Sequence, residues 1–96
     1  MTLRQAIERL AELDKDATIY VEGAPETWAP ESYVGVGVED VEAEVETLPP
    51  EAEGRTYFLE VAIAKEVLSG WASNLDYVPT LEESVERIIH YARYDA

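Results

Sequence analysis

"RTYFLEVAIAKEVLSGWASN", residues 55–74, is the stretch on which the fold turns, because two periodicities compete within it. Tyr57, Val61, Ala64, Leu68 and Trp71 recur at spacings of 4, 3, 4 and 3, as on one face of a helix. The run "TYFLEV", in contrast, is rich in the aromatic and β-branched residues that favour a pleated surface. The composition predicts a strand over 56–61 leading into a helix over 63–73, and one continuous helix is the alternative.

On the N-terminal side, Thr2 as N-cap and Gln5 three places on make a capping box. Leu3, Ala6, Ile7, Leu10 and Ala11 then follow at helical spacing, which predicts a helix over 2–13. "DKDA" ends it, and "TIYVE" reads as a short strand centred on Ile19, Tyr20 and Val21. "GAPETWAPE", residues 23–31, holds two Pro and a Gly around Trp28 and is a loop. The indole of Trp28 either folds back onto the core, as large aromatics usually do, or stands out as a contact anchor.

Val34, Val36 and Val38 alternate, and Val41, Ala43 and Val45 alternate again after Glu39–Asp40, the pattern of a hairpin. Pairing 38 with 41, 36 with 43 and 34 with 45 places all six apolar residues on one face. Glu42, Glu44 and Glu46 then lie across from Gly37, Gly35 and Tyr33, on a face bare of neighbouring side chains. Glu-Asp is a poor primed turn, so a longer loop fits as well. Near the C-terminus, Thr80 and Glu83 form a second capping box ahead of an apolar stripe of Leu81, Val85, Ile88, Ile89 and Ala92.

The order is helix, strand, hairpin, strand, helix, helix. It predicts an α+β fold in a single domain spanning 1–96: an antiparallel or mixed sheet of three or four strands, with one N-terminal and two C-terminal helices packed on one face. A chain of 96 residues buries roughly 60 to 70% of its unfolded surface, enough for one modest core. With 47% apolar residues it does not have the composition of a disordered tail.

The formal charge is −14, from 21 acidic and 7 basic side chains, and it is unevenly placed. Between Lys15 and Arg55 there are eleven carboxylates and no cation, so the middle of the chain carries −11 and the remainder −3. Such a balance argues against direct binding of nucleic acid or of an anionic membrane, since both would be repelled. It points instead to a basic protein partner. Alternate residues of a strand stand about 6.7 Å apart on one face, so Glu42, Glu44 and Glu46 would form a row of fixed charge. The expected contact set is Glu39, Asp40, Glu42, Glu44 and Glu46, helped by Trp28 and Tyr33. A merely solvated face, its acidity serving solubility or a high-salt habitat, is the competing explanation.

Chemical motifs are sparse. The chain has no Cys, so thiol catalysis, disulfides and cysteinyl metal sites are excluded. His90, the single histidine, follows Glu86 by four residues beside Arg87, Tyr91 and Tyr94, but nothing in the sequence supplies a nucleophile or pocket for it. No catalytic residue, metal ligand or cofactor is assigned: the glutamates lack an EF-hand loop, one His does not build a zinc site, and "GVGVED" lacks the third Gly of a dinucleotide fingerprint. No segment approaches the roughly 18 apolar residues of a membrane span, and the start lacks a secretory pattern, which makes the cytoplasm the expected location.

"PTLEESVERIIHYARYDA", "DATIYVE" and "AKEVLSGW" together resemble a family of small uncharacterised acidic domains of bacterial and phage type. The resemblance spans most of the chain and implies a compact stand-alone protein, with no established site to carry over. The expected function is that of a non-enzymatic binding protein of the immunity-protein, antitoxin or inhibitor kind. Phage-type nucleic-acid mimicry, a housekeeping module, and a small enzyme using His90 are the alternatives. Pairing of exposed strand edges into a homodimer is compatible with the pattern.

Overall fold

The structure, a computed structural model, describes residues 1–38 and 50–94. Its first helix starts at the capping box read from the sequence: the Gln5 N–H donates to Thr2 Oγ1 (3.3 Å) and the Thr2 N–H to Gln5 Oε1 (2.8 Å). Helix α1, Leu3–Glu8, is shorter than the predicted 2–13, because the chain tightens into a 3-10 turn at Leu10–Glu12. Residues three apart eclipse in that winding, which brings Leu13 to the same side as the buried Leu10.

Three strands follow, β1 (Thr18–Val21), β2 (Val34–Gly37) and β3 (Thr56–Glu60), in the order β2-β1-β3 and antiparallel throughout. On one side Ile19 pairs with Val36 and Val21 with Val34; on the other Ile19 pairs with Leu59 and Tyr20 with Tyr57. Phe58 is therefore an extra residue in β3, a bulge that lets both Phe58 and Leu59 enter the core. A strand that turns two successive side chains inward cannot alternate, which is why "TYFLEV" gave a blurred signal.

The 57/61/64/68/71 helical spacing holds only from its second member. Helix α2, Val61–Ser73, begins directly after Glu60, and the Val61 N–H donates to the Ala17 carbonyl at 3.0 Å. The strand-then-helix expectation is met with the junction at 60/61, and the single continuous helix is overturned: Tyr57 lies on the sheet and is half-exposed. Helix α3, Leu81–Tyr94, opens on the second capping box, Thr80 N–H to Glu83 Oε1 (3.1 Å) and Glu83 N–H to Thr80 Oγ1 (3.2 Å).

All three helices contribute to one core. Leu3, Ala6 and Ile7 of α1, Val61 and Ala64 of α2, and Val85, Ile88 and Ile89 of α3 cluster with Ile19, Val21, Val34, Phe58 and Leu59 of the sheet. Each large member stabilises the fold by about 1.5–3 kcal/mol through burial. This is the α+β arrangement the element order predicted.

Candidate functional site

The predicted contact residues divide into three groups. Glu39, Asp40, Glu42, Glu44 and Glu46 lie outside the described residues. Trp28 belongs to the interior, so its role as an exposed anchor is corrected. Gly23 turns the chain at φ 91° and a 3-10 turn at Pro25–Thr27 carries it back. The indole N–H then donates to the Gly23 carbonyl (3.2 Å), and the ring meets Phe58 edge-on at 5.0 Å and 66°. Only 7% of Trp28 remains exposed. Tyr33, at 61% exposure, is on the surface as expected.

The hairpin expectation needs two corrections at β2. The edge of β2 facing away from β1 is taken by the N-terminal residues: Val34 N–H donates to Met1 O (2.8 Å), Leu3 N–H to Ser32 O (2.8 Å), and Thr2 bridges Tyr33. The place given to Val45 opposite Val34, and to Glu46 opposite Tyr33, is thus already occupied. The face carrying Gly35 is not bare either. A Cβ on Gly35 would come within 2.7 Å of the Glu51 carbonyl oxygen and 2.9 Å of Arg55 Nη1, because the 3-10 turn Pro50–Ala52 packs directly on it.

The cations have specific duties. Arg4 pairs with Glu31 (2.9 Å) and Glu82 (2.6 Å), tying the loop before β2 to the start of α3. The Arg4 hydrogen bond holds the Glu31 carboxyl below its usual range, and the two carboxylates push the guanidinium pKa up. Arg55 Nη1 donates instead to the Glu51 carbonyl (3.0 Å) and Lys65 Nζ to the Leu13 carbonyl (3.2 Å). Arg93 donates to the carbonyls of Pro25 (3.0 Å) and Trp28 (3.3 Å), pinning the loop that the sequence left open.

His90 is exposed, its ring 4.9 Å from that of Tyr94. It does line a concavity, which the sequence did not foretell: an open groove of about 630 Å³ along α3, shared with Trp71, Glu82, Glu83, Glu86, Arg87, Ile89 and Arg93. Among the described residues, no Ser, Thr or Cys is on that lining. Glu82 is held by Arg4, and Glu83 accepts from the Thr80 N–H and the Tyr77 hydroxyl (2.8 Å). The backbone bond first and the hydroxyl second keep Glu83 below its usual range, while the partnership raises the Tyr77 pKa.

A second cavity, of about 560 Å³, opens between Asp16, Thr18, Tyr57 and Glu60. It too was illegible in the sequence, because its walls come from separate elements. Among the described residues, no group of three or more His, Asp or Glu side chains is placed to hold a metal ion, and no helix is long and apolar enough to cross a membrane. No family model, no curated protein and no solved structure matches the chain.

Proposed function

We propose that this chain is a non-enzymatic binding protein whose acidic surface docks on a basic protein partner, in the manner of an immunity protein, antitoxin or inhibitor. The observation that carries this reading is how the cations are used. In a chain of net charge −14, Arg55, Lys65 and Arg93 donate to backbone carbonyls, and Arg4 serves Glu31 and Glu82. The folded protein therefore keeps a strong negative field, which steers a positive partner and speeds its approach.

The test is capture of partners on the immobilised protein, followed by association kinetics. Basic proteins should bind at low ionic strength and release as salt screens the field over about 8 Å at physiological strength. Replacing Glu42, Glu44 and Glu46 together by Gln should slow association about tenfold while circular dichroism is unchanged. An unaltered association rate would reject the acidic segment as the contact face.

A further inference from the structure

The open groove along α3 follows one face of that helix. Glu82, Glu86, Ile89, His90 and Arg93 recur at intervals of three and four residues, and the half-buried ring of Trp71 from α2 forms a wall beside them. The lining is mainly apolar. Large apolar side chains that the fold leaves exposed border both ends. At the start of α3, Tyr77 (52% exposed) donates to Glu83 and is followed by Val78 (91%). At the other end the ring of Tyr94 (62%) lies against that of His90. An exposed apolar strip of this kind marks a contact surface.

Charge selects what fits there. Helix α3 carries three glutamates against two arginines, a net of −1 in a chain of −14. A second copy is therefore repelled by the rest of the protein, at −13, and hardly at all by this helix. The signs are also ordered: Glu82, Glu83 and Glu86 precede Arg87, His90 and Arg93. Turned antiparallel about a two-fold axis near Ile88, such a stripe complements itself. Glu83 then meets Arg93 of the second copy, Glu86 meets its His90, and Tyr94 reaches the end bordered by Tyr77 and Val78. A basic protein gains more from the strongly negative remainder than from this nearly neutral face.

We infer that two copies of this chain pair through α3, antiparallel and two-fold symmetric, with each groove covered by the helix of the other copy. The inference does not rest on the docking role proposed above. A helix of 14 residues is about 21 Å long, which places the contact at the small end of specific interfaces. The dimer is accordingly weak, with a dissociation constant between about 1 μM and 1 mM. Added salt strengthens it, because screening relieves the repulsion between two acidic bodies. That dependence is opposite in sign to the one expected for a basic partner.

The experiment is sedimentation equilibrium of the whole protein over a concentration series up to about 1 mM, at low and high salt. The mass should rise from the 10.7 kDa of one chain towards twice that value, at lower concentration when salt is added. Val78→Ser with Tyr94→Ser changes only exposed side chains, so circular dichroism should be unaltered while dimerisation weakens about tenfold or more. A charge exchange tests the register. Glu86→Lys and His90→Glu, both at exposed positions, should each weaken self-association, by setting Lys against His in one case and Glu against Glu in the other. The two single variants mixed together, or the double variant alone, should regain it. A mass that stays at one chain throughout, a dimer indifferent to Val78→Ser with Tyr94→Ser, or a double variant no better than either single one would overturn the inference.

Discussion

The two faces of the sheet are made by different means. The inner face presents Ile19, Val21 and Val34 to three helices, and its specificity is that of shape: aliphatic and aromatic side chains filling a dry space. The outer face carries Thr18 and Tyr20 on the central strand and is capped near Gly35 by one 3-10 turn, whose backbone approaches the glycine too closely for any side chain. Both faces of β1 are buried, yet only the inner one is a core. On the outer face, burial ends at Thr18 and gives way to a cavity lined by Asp16, Thr18, Tyr57 and Glu60, so one strand backs a dry core on one side and an open hollow on the other.

Phe58→Ala should produce the largest change, a loss of about 3–5 kcal/mol in urea unfolding, since it empties the inner layer and removes the edge contact with Trp28. Gly35→Ala should cost less, about 1–3 kcal/mol, by forcing the Pro50–Ala52 turn away from the outer face. A cost near zero would mean that the turn is loosely seated and the two faces differ more than their burial suggests; a cost matching Phe58→Ala would erase the distinction. Gly70→Ala serves as the control, because its Cβ meets nothing within 4 Å and lies inside α2. It should stabilise by roughly 0.5–1 kcal/mol.

The smallest effect expected is in the pH profile. Glu31 and Glu83 have folded-state pKa values below their usual 4.5, so the folded protein binds fewer protons there than the unfolded chain. The stability they contribute is present above that value and is lost as pH falls through the depressed values. Tyr77 acts on the alkaline side: raised above 10.0 by Glu83, it contributes stability that is lost as pH rises through its folded value. Melting temperature measured against pH should show a shallower acid limb in Arg4→Gln than in the parent, and identical limbs would remove Arg4–Glu31 from the account.

What the sequence made legible was local. Both capping boxes, the α3 stripe and the β-branched and aromatic run of β1 depend on neighbours within a few residues, and all appear in the structure. What it hid was assembled across the chain. The docking of Met1–Leu3 along Ser32–Val34 brings together segments some thirty residues apart, and no periodicity encodes it. For Trp28 the sequence left both a buried ring and an exposed anchor open, because the bonds that seat it come from Gly23 and Arg93. The cavity at Thr18 escaped for the same reason: Asp16 and Glu60 are distant in sequence and come to line one hollow only when the β1–β3 register pairs Thr18 with Glu60.

Helix α3 has a consequence for synthesis. Because Val85, Ile88 and Ile89 complete the interior, and α1 packs against α3, everything made earlier must wait with its greasy flank uncovered until that helix leaves the ribosome. Nascent chains should therefore look protease-sensitive through translation of α2 and become resistant in a single step once α3 has emerged.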